Sequence, residues 1–263
     1  MRIGFAGNLE KQGIAEYRAE LSKQAGLAGH DCHSYDNGDE IKLAKTAPEL
    51  LVVVGGDGSL LRFAAVAAEL DIPVLGVNLG RIGFLSEIAV EDFPNALERI
   101  LSGDYRVEKH MMLCCCVNGC ECAHCLNDVL VFKQSFSGTI QVSLFCDGKD
   151  VGTVFCDGII ASTPTGSTAY NLSAGGPVVA QNLDAIAVTP VCSHTLHVRP
   201  IVTSADSVWS FHAHGDGFVA GDGIKLRKIG QSDTVVVTKS DRMVKFIRFT
   251  EQNVFELIHR KLS

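Results

Sequence analysis

The sequence predicts a two-part fold: an N-terminal α/β domain, three-layer-like and built on a parallel sheet, followed by a β-rich, sandwich-like domain. Three observations carry that prediction. In the first hundred residues, apolar β-branched runs alternate with segments at helical spacing. From about Tyr105 helical spacing nearly vanishes, and short runs separated by glycine turns replace it. Near the end, Val254, Phe255, Ile258 and Leu262 regain helical spacing, which predicts a C-terminal helix packing back on the first domain. The expected boundaries are 1–104, 105–248 and 249–263.

The elements follow in order. Ile3 to Ala6 reads as a strand, and Ile14, Tyr17, Leu21 and Ala25 mark a helical stripe. Leu50 to Val54 is a continuous β-branched and leucine run, as a strand buried on both faces of a parallel sheet requires. Ser59 to Leu70 is long enough and Leu/Ala-rich enough for a helix, Pro73 to Val77 is a further strand, and Phe93, Leu97, Ile100 and Leu101 mark another helix. In the second part, Val129 to Lys133, Thr139 to Phe145, Val151 to Phe155, Val208 to Ala213 and Thr234 to Thr238 read as strands.

Composition narrows the function. A chain of 263 residues that is 46% hydrophobic can bury a real core. Its net charge of -7 comes without a basic stripe to neutralise phosphates, which disfavours a nucleic-acid partner. No apolar run approaches the roughly 18 to 20 residues that span a bilayer, and the opening MRIGFAGN lacks a secretory apolar region. A soluble cytoplasmic protein without a membrane partner is expected, with its ten cysteines as reduced thiols. The dense run Cys114, Cys115, Cys116, Cys120, Cys122, His124 and Cys125 raises zinc. However, Asn118-Gly119 is a hairpin signal that splits the run into facing strands with alternating side chains. Small buried hydrophobes are the expectation, with no metal site.

Two segments carry chemistry. Val52 to Val54 runs into Gly55-Gly56-Asp57-Gly58-Ser59, a buried strand ending in a glycine turn that opens a helix. Glycines permit close backbone approach, and the helix N-terminus offers unpaired N–H groups and a positive dipole end to phosphate. An acid in such a turn repels phosphate unless it serves Mg²⁺ or takes a proton from an attacking hydroxyl, so Asp57 speaks against a plain strand-to-helix turn. Two familiar phosphate motifs fail. Leu61 stands where G-x-G-x-x-G needs its last glycine, and Gly148-Lys149 is followed by Asp150 instead of Ser or Thr. The second segment, Asp157 to Pro177, packs hydroxyls and glycines around Tyr170, offering short donors and acceptors and one flat ring. It reads as a binding loop. Arg62, one turn into the helix after the glycine loop, suits a phosphate contact.

Taken together, these segments resemble the NAD kinase family. The resemblance rests on Gly55-Gly56-Asp57-Gly58, Asn78-Leu79-Gly80-Arg81-Ile82-Gly83-Phe84-Leu85, Asn127-Asp128, Asp157 to Pro177, and Thr189-Pro190-Val191-Cys192-Ser193-His194 leading to Arg199-Pro200. It implies phosphorylation of the 2′-hydroxyl of the adenosine ribose of NAD, giving NADP, with ATP or polyphosphate as donor and Mg²⁺ accompanying that donor. Asp57 then corresponds to the proton acceptor. Gly55, Gly56 and Arg62 face phosphate, while Gly58, Asn127, Asp128, Asp157, Thr168, Ala169, Tyr170, Asn171 and Ser173 fall on NAD-binding positions. The resemblance also implies a homodimer or homotetramer. Ser59 stands where the family commonly has Thr, and Asp128 is one methylene shorter than the Glu often found there. A lipid or sphingoid-type kinase shares the glycine-Asp turn but calls for an amphipathic membrane-facing segment that is not evident. A non-catalytic NAD sensor could dispense with Asp57.

Overall fold

The computed structural model describes residues 1–8, 13–36, 39–80, 83–120, 123–195 and 197–250. The expected C-terminal helix lies beyond residue 250, outside the described residues. The chain forms two compact units, one comprising residues 1–110 with the chain from Met243 on, the other Met111–Arg242.

The first unit is built on parallel strands in the order Asp31–Tyr35, Arg2–Gly7, Leu50–Val54, Val74–Asn78. All five residues of Leu50–Val54 are buried, as the unbroken apolar run requires. Helices Ile14–Leu27, Asp57–Glu69 and Phe93–Ser102 accompany the sheet. Its core joins Phe5, Val52 and Val77 to Leu21, Phe93 and Leu97. Tyr17, on the expected helical stripe, is 43% exposed instead. The helix after the glycine loop opens at Asp57, two residues earlier than the spacing suggests, because Asp57 and Gly58 already have helical backbone. Phe246, near the end of strand Thr234–Arg248, pairs in parallel with Val74.

The second unit is a β-sandwich. One antiparallel sheet runs in the order Ile201–Ser204, Ala185–Val191, Gly158–Ser162, Asp128–Lys133, Gly217–Gly221, Ile224–Ile229. In the facing layer, Ile140–Cys146 pairs with both Lys149–Cys156 and Trp209–Ala213, and the last pairs with the start of Thr234–Arg248. Alternate residues of both layers, among them Val131, Ile159, Val142, Trp209 and Val235, form one core. The expectation that everything from Asp157 to Pro177 is loop is corrected here: Gly158–Ser162 is a fully buried central strand. Its small and hydroxyl residues fit because it is enclosed on both edges and both faces.

The cysteine-rich segment forms strand Arg106–Val117, a turn at Asn118-Gly119 with φ of 53° and 68°, and strand Ala123–Cys125. Cys115 and Cys125 are buried in the core, whereas Cys114 is half-buried. Eight described cysteines are free thiols, and burial pushes Cys115 up to about 12. The expectation of reduced thiols throughout is corrected at Cys116, which is disulfide-bonded.

Candidate active site

In the first unit the parallel strand Leu50–Val54 ends at Gly55, whose φ of 138° turns the chain sharply into the helix. Gly55 N–H donates to the Val77 carbonyl at 2.8 Å, tying the turn to the neighbouring strand. Gly56 occupies the N-cap, Asp57 is the first helical residue, and Gly58 is exposed. The Asp57 carboxylate is gripped by a second loop: Phe84 N–H donates to Oδ2 at 2.9 Å and Leu85 N–H to Oδ1 at 3.1 Å. Gly83 makes that approach possible, since a Cβ there would sit 2.0 Å from Asp57 Oδ1. The acid is therefore set in place by the two segments that the sequence singles out separately. Arg62 is exposed on the helix, and Arg81 and Ile82 lie outside the described residues.

In the second unit, Asn127 and Asp128 stand at the head of a central strand. The binding loop leans on them: Thr163 N–H donates to the Asn127 carbonyl at 2.9 Å, and Thr163 Oγ1 to the Leu126 carbonyl at 2.6 Å. Gly166 lies so close that a Cβ would come within 2.0 Å of the Asn127 carbonyl oxygen. Asp222 completes the arrangement. Its carboxylate accepts from the N–H groups of Leu126 and Asn127 at 2.7 Å each and Asp128 at 3.2 Å. Burial raises the pKa of Asp128 to about 7, with the Asp222 charge adding to it, and burial raises Asp222 as well.

Among the loop residues, Tyr170 is 41% exposed and Ser173 is exposed, whereas Thr168 and Ala169 are half-buried. Burial raises the Tyr170 hydroxyl, and Cys192, Asp157 and Asp128 push it further. Asp157 forms a 2.6 Å ion pair with Lys133. Asn171 differs from its expected role. Its side chain is fully buried, accepting from Thr189 Oγ1 at 2.7 Å and donating to the carbonyls of Pro177 at 3.0 Å and Ser167 at 3.3 Å. It locks the loop's own shape and presents no side-chain group to a ligand.

The sequence reading overlooked Asp222 and Lys133. Asp222-Gly223 is a hairpin signal, and with φ of 49° and 79° it does turn between Gly217–Gly221 and Ile224–Ile229. Nothing in that dipeptide announces that the Asp side chain caps three amides nearly a hundred residues away.

An acid-bearing glycine loop on a parallel α/β unit, followed in one chain by a hydroxyl-rich loop on a β-sandwich, places the protein among the phosphotransferase enzymes. Residues 4–105 match the family model for the ATP-NAD kinase N-terminal domain, and residues 126–249 match that for the ATP-NAD kinase C-terminal domain. The chain belongs to the NAD kinase family. It is 43% identical to an NAD kinase of Heliobacterium modesticaldum over 82% of this chain and 78% of that one. It is 34% identical to an NAD kinase of Moorella thermoacetica, covering 100% of this chain and 89% of the relative. An Archaeoglobus fulgidus NAD kinase solved in complex with ATP superimposes with a TM-score of 0.81 at 25% identity, covering 99% and 98% of the two chains. A yeast NADH kinase solved with NADH shares the fold, with a TM-score of 0.90 at 21% identity over 100% of this chain and 87% of that one.

Proposed function

We propose that this chain phosphorylates the 2′-hydroxyl of the adenosine ribose of NAD, giving NADP, with ATP or polyphosphate as donor. The observation that carries the reading is the Asp57 carboxylate, fixed at the first residue of the helix by two backbone N–H groups beside the glycine turn. Phosphoryl transfer passes through a loose transition state, so the protein's work is positioning and neutralisation of charge. Asp57 accepts the proton of the attacking ribose hydroxyl. Gly55, Gly56 and the following helix N-terminus receive donor phosphates, with Arg62 in reserve one turn on. Asn127, Asp128, Asp157, Thr168, Ala169, Tyr170 and Ser173 hold the dinucleotide, Tyr170 offering its ring, while Asn171 keeps the loop in shape from within. A carboxyl poised near neutrality at Asp128 suits a ribose hydroxyl, since either of its protonation states forms a hydrogen bond.

Bound together with the donor, Mg²⁺ would neutralise the phosphate charge beside the glycine turn. Among the described residues no group of three or more His, Cys, Asp or Glu side chains could hold a metal ion. No described helix is long and apolar enough to cross a membrane. A cytoplasmic homodimer or homotetramer completes the proposal.

The test is to incubate purified protein with Mg²⁺ and NAD, offer ATP or polyphosphate, and measure NADP. General-base assistance is worth roughly 10² to 10⁴ in rate, so Asp57→Asn should lose about that much turnover while keeping its NAD affinity. NADP from no donor would end the kinase reading; undiminished turnover in the variant would remove Asp57 from its role.

A further inference from the structure

Within the first unit, the loop that grips Asp57 is itself gripped from behind. Arg248, near the end of the last described strand, is completely buried. Its Nη1 donates to the Leu85 carbonyl at 2.9 Å and to Glu87 Oε2 at 3.2 Å, and its Nε donates to Glu108 Oε2 at 2.7 Å. Glu87 in turn accepts the Phe249 N–H at 2.7 Å through its other oxygen. Leu85 thus takes Arg248 on its carbonyl and gives its N–H to Asp57. The turn is closed on its remaining side by Gly83 N–H donating to Ser86 Oγ at 2.6 Å.

We infer that Arg248, seated between Glu87 and Glu108, is a positioning residue for Asp57, setting the height of the residue 83–86 turn whose N–H groups orient the acid. The inference rests on Asp57 being the proton acceptor. A guanidinium suits this post because its planar fork serves three acceptors in fixed directions, while an ammonium reaches them only one or two at a time. Buried cost argues the same way. A fully enclosed cation held by two carboxylates is an expensive way to stabilise a fold that apolar residues would fill as well, so its geometry is what it supplies.

The experiment is a double-mutant cycle on the full-length protein with Mg²⁺, NAD and the donor that supports turnover. Misplacing a catalytic group by about 1 Å costs about 10² in rate, so Arg248→Lys should lower kcat roughly 10- to 100-fold, with KM for NAD changed less than about threefold. In an Asp57→Asn background the same substitution should cost nothing more, because the acid it positions is gone. A purely structural role would lower activity in both backgrounds alike, and that additivity would overturn the inference. Full kcat in Arg248→Lys would overturn it too. Should Arg248→Lys not fold, Glu108→Gln weakens the same clamp from its half-exposed side, with a smaller kcat loss that must also vanish in the Asp57→Asn background. Unchanged turnover in Asp57→Asn alone identifies failure of the proton-acceptor reading instead.

Discussion

Replacing Asp128 by Asn should flatten the way the second unit loses stability as pH rises. Burial and the neighbouring Asp222 lift the Asp128 carboxyl from its ordinary 3.8 to about 7. A pKa raised on folding means that the native state holds the proton more tightly than the unfolded chain. The stability linked to it is full below about pH 4 and is lost as pH climbs through about 7. Each pKa unit is worth about 1.4 kcal/mol, so the whole effect is roughly 4 kcal/mol, and roughly 2 to 3 kcal/mol of it falls between pH 5 and pH 8. The proton belongs in part to the Asp128–Asp222 pair, which broadens the transition. Trp209 is the only tryptophan and lies in this unit's core, so its fluorescence follows urea unfolding of the right unit. The wild type should lose midpoint urea concentration steadily from pH 5 to pH 8, whereas Asp128→Asn, which cannot ionise, should change far less. Parallel midpoints for the two proteins across that range would refute the reasoning.

Two glycines give further tests. Gly83→Ala brings a methyl to 2.0 Å from Asp57 Oδ1, so the acid or the loop must move; turnover should fall by roughly 10²-fold with the melting temperature nearly kept, and full turnover would count against the grip described for Asp57. Gly166→Ala meets the Asn127 backbone carbonyl at 2.0 Å, a contact with no flexible side chain to yield. It should lower stability by about 1 to 3 kcal/mol, read by Trp209 fluorescence, along with NAD affinity measured by titration; a wild-type melting curve would show that the loop does not rest on Asn127 as described.

Much of the first unit was legible because its physics is local. Leu50 to Val54 could be little other than a strand buried on both faces, and the glycine turn after it follows directly. The second unit was harder to read. Gly158–Ser162 has an apolar run of only Ile159, Ile160 and Ala161 before its hydroxyl and glycine-rich continuation, and enclosure by Asp128–Lys133 and Ala185–Val191 makes it a central strand. Strand Asp31–Tyr35 was missed because its sequence, Asp-Cys-His-Ser-Tyr, has no apolar run; its neighbour Arg2–Gly7 recruits it. At the site, residue type was legible and residue direction was not. Asn171 and Tyr170 are adjacent in sequence, yet one faces the interior and the other solvent. Asp222 and Arg248 act across about a hundred residues or more, a distance no local pattern encodes.

The first unit is not continuous in sequence. The chain leaves it after His110 and returns at Met243, and the pairing of Phe246 with Val74 waits for that return. On a ribosome adding roughly 5 to 20 residues per second, the intervening segment takes on the order of ten seconds to make. Through that interval Glu87 and Glu108 have been synthesised but Arg248 has not, so two carboxylates destined for a buried ion cluster must stay hydrated. The parallel strands can assemble early, but the last strand and its arginine arrive only after the whole second unit has been made. A nascent chain stalled inside the second unit therefore holds Asp57 without the Arg248 contact to the Leu85 carbonyl behind it.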